Sequence, residues 1–170
     1  MKVIFLDFDG VLNSSKWFAA NKQRITESTS LLTRGRAELD PESIQRVLSI
    51  IAATGAAVVI SSSWRNLHTM AEISEMLPEL AVHFVDKTPD LNKIDSDRDI
   101  GCWRGHEIAF WIQEFEKKNG QLDSFLILDD DSDMLPHQKT NFVQTNWEVG
   151  ILDTHVEQAI KILGATHVPV

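Results

Sequence analysis

Residues 2–13, Lys-Val-Ile-Phe-Leu-Asp7-Phe-Asp9-Gly10-Val-Leu-Asn13, constrain this chain more than any other stretch. Val3 to Leu6 is an unbroken apolar run, β-branched and aromatic, the pattern of a strand buried on both faces. Two carboxylates follow, Asp7 and Asp9, with a glycine directly after the second. In extended backbone, residues two apart point the same way, so both acids can face one place beyond the strand's end. Two anions that close repel in a partly dry site unless a cation stands between them. Asp and Gly are also ordinary turn residues, so by itself the run could be a strand stop and nothing more. The ends of the chain's other apolar runs separate the two readings.

Asp40-Pro41-Glu42 predicts a helix start: a cap, a proline at the first helical position and an acid in the first turn. Ile44, Val47, Leu48 and Ile51 recur at helical spacing, and Gly55 ends the run. Residues 56–60 read as a second buried strand, closing on Ser61-Ser62-Ser63-Trp64-Arg65. A helix is expected over about 67–77, stopped by Pro78, then a strand at 82–85. Residues 86–103, with Pro89 and a charge cluster at 95–99, read as an irregular surface loop. Ile108, Trp111, Ile112 and Phe115 share a helix face ending near Asn119-Gly120, and a fourth strand at 125–128 runs into Asp129-Asp130-Asp131-Ser-Asp133. Phe142 and Val143 mark a short fifth strand, and Thr154 is expected to cap a last helix through Leu163.

Strands alternating with helices imply an α/β fold: a three-layer α/β/α, Rossmann-like arrangement around a central, mainly parallel five-stranded sheet. Ligands bind such sheets beyond the carboxyl ends of the strands. Three strand ends therefore deliver Asp7-x-Asp9, Ser61-Ser62-Ser63 and Asp129-Asp130-x-x-Asp133 to one rim.

The chain of 170 residues, 43% hydrophobic, reads as a single domain over 1–170. Cys102 is its only cysteine, which excludes a disulfide framework or a cysteine-rich metal site. Asp7 and Asp9 interrupt the N-terminal apolar run, and residues 50–60 fall short of a spanning segment, so no membrane role and a cytoplasmic setting are expected. The net charge of −9 argues against broad electrostatic binding to nucleic acid. Residues 13–36 run the other way: Lys16, Lys22, Arg24, Arg34 and Arg36 against Glu27 give 5 − 1 = +4. The polar stretch 13–39 is expected to be either a solvated loop with a short helical piece or a small lid over the acids that attracts an anionic substrate. Trp17, Trp64 and Trp103, each beside a basic residue, are expected to pack in the core or rim, with base stacking as the alternative.

Phe5-Leu-Asp7-Phe-Asp9-Gly10-Val-Leu12, Val58-Val-Ile-Ser61 and Leu126-Ile-Leu-Asp129-Asp130-x-x-Asp133 resemble the motifs of the haloacid dehalogenase-like (HAD) superfamily, of the small-cap or capless phosphatase type. The resemblance covers most of the chain apart from 13–39 and 86–103. It implies Mg²⁺-dependent phosphomonoester hydrolysis, and it implies that the Asp9 backbone carbonyl joins carboxylates as a metal ligand. Ser61-Ser-Ser-Trp64-Arg65 beside the first motif also resembles small phosphatase domains linked to RNA end repair.

The residue types support that chemistry independently. Asp7 can attack phosphorus to form an aspartyl-phosphate, and Asp9 can protonate the leaving oxygen and then deprotonate water. Mg²⁺ suits an all-oxygen site with few protein ligands, here Asp7 and Asp129, with Asp130 and Asp133 binding directly, through water, or by orienting the others. Ser61 is the expected hydroxyl donor to phosphate, helped by backbone N–H groups near Gly10 and Ser62. The family's third motif is usually a lysine. Arg104 at the start of its helix takes that place here, with Lys93 and then Arg65 as fallbacks.

The expected function is a Mg²⁺-dependent phosphatase acting on a bulky substrate such as a phosphorylated nucleic-acid end. The alternatives are a small-metabolite phosphatase, on nucleotides or sugars, and a non-catalytic Mg²⁺- or phosphate-binding module. The second acid, Asp9, speaks against the last.

Overall fold

The computed structural model describes residues 1–91 and 103–164. Lys93 and most of the expected 86–103 loop, including the 95–99 charge cluster, lie outside the described residues. Five strands, β1 (Lys2–Leu6), β2 (Ala57–Ile60), β3 (Phe84–Lys87), β4 (Ser124–Asp129) and β5 (Phe142–Gln144), form one parallel sheet in the order β3-β2-β1-β4-β5. β1 is the central strand. Its register pairs Leu6 with Ile60 on one side and with Leu128 on the other. The chain winds outward from β1 to β3, then crosses back to place β4 on the opposite side, which puts the topological switch between β1 and β4.

Why β1 reads as continuously apolar is now plain. Ile4 and Leu6 point into a core formed with Val58, Ile60, Leu126 and Leu128 under α3 (Pro41–Thr54) and α8 (Asp153–Leu163). Val3 and Phe5 point the other way, toward Ile108 and Trp111 of α7 (Trp103–Asn119). Phe5 meets Trp111 edge-on at 5.4 Å between ring centroids. Each such fully buried side chain contributes about 1.5–3 kcal/mol, so a polar residue within Val3–Leu6 would be costly on either face.

α3 starts and stops as its residues predict: Asp40 accepts from the Glu42 N–H, Pro41 is the first helical residue, and Gly55 closes the helix at φ 68°. Four local expectations are corrected. Residues 13–39 hold two helices, α1 (Ser15–Glu27) and α2 (Leu31–Glu38), capped by Ser14 and Ser30. The expected 67–77 helix is broken in two, α4 (Trp64–Leu67) and α5 (Met70–Met76), because Thr69 and Glu72 form a capping box that starts α5 afresh. Pro78 does stop the preceding helix but also opens α6 (Pro78–Ala81), so the third strand expected at 82–85 begins later, at Phe84, and Val82 is exposed. Leu152, not Thr154, caps α8, with its N–H received by His155 Nδ1 at 3.0 Å. No described helix is long and apolar enough to cross a membrane.

Candidate active site

Beyond Leu6 the backbone still belongs to the sheet: the Asp7 N–H donates to the Leu128 carbonyl at 3.0 Å, and the Ser61 N–H to the Leu6 carbonyl at 2.9 Å. Asp7, Ser61 and Asp129 are thereby held at the ends of three adjacent strands, all three buried. The chain then turns sharply, the Phe8 carbonyl accepting from the N–H groups of Val11, Leu12 and Asn13. Gly10 makes that turn possible at φ 69°. A Cβ there would also lie 2.2 Å from Asp130 Cγ, so position 10 must be bare for Asp130 to approach.

Asp7, Asp129 and Asp130 each offer one carboxylate oxygen, and the three oxygens lie within 4.8 Å of one another. Asp7 Oδ1 and Asp129 Oδ2 are buried without a hydrogen-bond partner. Arg104 Nε stands 3.3 Å from Asp129 Oδ2, an ion pair by distance that lacks hydrogen-bond geometry. The Arg104 charge acts on Asp7 and Asp129 and is shared with Glu107, 3.7 Å away.

The imbalance shows in their acidities. Burial pushes Asp7 up to about 6, against the pull of Arg104 and of hydrogen bonds from Ser62 and Phe8. Burial, with the charge of Asp7 added, pushes Asp129 up to about 8. Between the ordinary carboxylate value and these raised values, the folded protein holds a proton that the unfolded chain has released. Each rise in pH across that window therefore weakens the folded state. In EDTA, the Tm of the wild type should fall relative to that of Asp129→Asn between about pH 5 and pH 8, because the variant lacks this penalty. Parallel Tm curves would contradict it.

The remaining expected residues are placed as follows. Ser61 Oγ is buried with no partner, whereas Ser62 lies against the Asp7 carboxyl and Ser63 is exposed. The sequence leads one to expect backbone N–H groups near Gly10 to donate to phosphate, whereas the Gly10 N–H itself donates to Asn13 Oδ1 at 2.9 Å in this conformation. Asp133 stands outside the acid trio; its Oδ2 accepts from the Arg104 backbone N–H at 3.1 Å and so fixes the start of α7. Arg65 is turned away from the acids. It donates to the carbonyls of Ser62, Thr88 and Pro89 and to the Glu107 carboxylate.

Three participants were not legible beforehand. Trp64 Nε1–H donates to Asp9 Oδ2 at 3.0 Å, and Asn13 Nδ2–H to Asp9 Oδ1 at 2.8 Å. Glu107, buried between Arg65 and Arg104, links the serine loop to α7. The i, i+3 spacing of Arg104 and Glu107 was the only local sign of this, and it cannot reveal the distant Arg65.

A parallel α/β sheet carrying Asp7-x-Asp9, a buried serine and an acid pair at the ends of its three middle strands defines a HAD-like domain. The chain belongs to the family described as the HAD domain in Swiss Army Knife RNA repair proteins, whose model matches residues 3–156. No curated protein and no solved structure matches it.

Proposed function

We propose that this domain is a Mg²⁺-dependent phosphomonoesterase that works through an aspartyl-phosphate on Asp7 and acts on phosphorylated nucleic-acid ends. The observation that carries the reading is the buried, unpartnered Asp7 Oδ1 beside an equally unpartnered Asp129 Oδ2 and Ser61 Oγ, with Arg104 alongside. Asp7, Asp129 and Asp130 fit a hard divalent cation: all donors are oxygens, they converge, and their charge is unmatched by the protein. Mg²⁺ bound there would neutralise phosphoryl oxygens and the carboxylates around them.

The chain's own residues supply the rest. The Asp7 carboxylate attacks phosphorus as the P–O bond to the leaving alcohol breaks, and Asp9 gives that oxygen its proton. Asp9, now ionised, takes a proton from water as the water oxygen attacks the aspartyl-phosphate, freeing Asp7 and inorganic phosphate. Ser61 Oγ donates to a phosphoryl oxygen, and Arg104 supplies positive charge on the same side. Asp133 serves by fixing α7, and with it Arg104.

The substrate class draws on the family, described by its place in RNA repair proteins. We read 1–170 as one domain in which 13–39 forms a fixed side wall. Supporting this, Arg36 pairs with Glu79 and with the Met76 carbonyl, and Trp17 Nε1–H donates to the Ala37 carbonyl. A wall leaves room for a chain end that a closing lid would exclude.

Phosphate release from a 3′-phosphorylated RNA oligonucleotide, measured with Mg²⁺ against a panel of nucleotides and sugar phosphates, tests the proposal. The oligonucleotide should be favoured in kcat/KM by about ten-fold or more. A preference for the panel would establish the metabolite reading instead, and no release from any substrate would leave the binding-module reading.

A further inference from the structure

Asp9 is half-buried, and both of its carboxylate oxygens are held by neutral donors from elsewhere in the chain. One is the Trp64 indole N–H, a donor with no acceptor capacity. The other is the Asn13 carboxamide, whose orientation is set because its oxygen receives the Gly10 N–H at 2.9 Å. Trp64 is itself immobilised. Its ring meets Phe8 edge-on at 5.6 Å and His68 at 5.8 Å between centroids. On its third side lies α2, whose Gly35 comes so near that a Cβ there would stand 3.4 Å from Trp64 Cζ3.

We propose that Trp64 and Asn13 are positioning residues that aim the Asp9 carboxyl at the leaving oxygen, and that the α1–α2 wall acts on the chemistry through Trp64. The inference rests on the phosphomonoesterase reading given above. Two donors on two different oxygens fix the carboxyl plane as well as its location, which a single hydrogen bond would not. A proton must reach the departing oxygen along a short, aligned path, and misplacement of about 1 Å costs on the order of a hundred-fold in rate. The Trp64 indole lies outside the acid trio and donates to Asp9. The Trp64 backbone N–H, 3.4 Å from Ser62 Oγ, is kept in any side-chain variant, so the side chain's effect on the reaction passes through Asp9.

The demand for that proton depends on the leaving group. An aryl alcohol departs as its anion with little help, whereas an alkyl alcohol must be protonated as it leaves. kcat/KM reports only the steps up to loss of the alcohol and so isolates this role from the later activation of water. Trp64→Phe keeps an aromatic ring on the Phe8 side and removes the indole N–H together with part of the bicycle's volume. It should lower kcat/KM for an alkyl phosphate by about ten-fold more than for an aryl phosphate, as should Asn13→Ala, which serves if the tryptophan variant fails to fold.

A second readout needs no turnover. The Trp64 indole N–H resonance, identified by its loss in Trp64→Phe, should shift in Asp9→Asn, where an amide replaces the carboxyl acceptor. Equal losses for both substrates, or none, would overturn the proposal, as would an indole resonance unaffected by Asp9→Asn. If the wild type hydrolyses neither substrate, the phosphomonoesterase reading fails on its own, and the resonance still decides whether Trp64 holds Asp9.

Discussion

Asp7→Asn should leave a folded protein with no measurable turnover of an aryl phosphate, a loss of about four orders of magnitude or more. Asn has nearly the volume of Asp, and Asp7 is buried at the tip of the central strand, so the sheet need not change. What disappears is the attacking oxygen's charge, and an amide oxygen is far too poor a nucleophile to replace it. The substitution should at the same time raise the Tm in EDTA, because it removes a carboxyl that burial has pushed up to about 6 beside a second acid. Loss of activity with gain of metal-free stability is a signature that damage to the fold cannot produce. Full activity in Asp7→Asn, or undiminished activity of the wild type in EDTA, would sink the mechanism.

Glu107→Ala should be among the most destabilising single substitutions available, at about 3–5 kcal/mol by chemical denaturation. Glu107 and Arg65 are both buried, and burial opposes the charged form of each: it raises the carboxyl and lowers the guanidinium. Neither shift argues against the ion pair. Each reflects the dry surroundings that make the partner indispensable, since removing Glu107 strands the Arg65 charge away from water. Glu107 Oε1 also accepts from the Leu91 N–H at 3.3 Å, and Arg104 stands 3.7 Å away, so the loss spreads to both loops beside the acids. Arg65→Met combined with Glu107→Leu should cost less than Glu107→Ala alone, because no unpaired charge remains. A double variant worse than the single would show that the arginine's three carbonyl contacts, not the ion pair, dominate.

The sheet and the acid trio were legible from the chain because each rests on a signal confined to a few neighbouring residues. Val3–Leu6, Val58–Ile60 and Leu126–Leu128 are uniformly apolar because they are covered on both faces, and the polar residues that interrupt them mark the rim. Helix ends were legible where one residue decides them, as at Asp40 and Gly55, and were missed where two residues three apart decide them together. Thr69 with Glu72 cut an apolar periodicity in half, and His155 reached back past Thr154 to serve Leu152. α1 and α2 escaped because their apolar faces are narrow: Ile25 is the only buried residue of α1, so its periodicity is faint. Trp64 to Asp9 and Arg65 to Glu107 span 55 and 42 residues, and no local pattern encodes such a meeting.

The pairing of β1 with β4 has a consequence for synthesis. β1 and β2 can associate once residue 60 has cleared the ribosome, but Asp7 meets Asp129 only when β4 enters beside them. Until then Asp7 stands on a sheet edge, without the burial that raises its proton affinity and without the two acids it converges on. The electrostatic strain of the acid trio is therefore deferred until β4 and α7 arrive together with Arg104. Until β4 is in place, Asp7 has neither Asp129 nor Asp130 beside it, and the three acids do not yet converge.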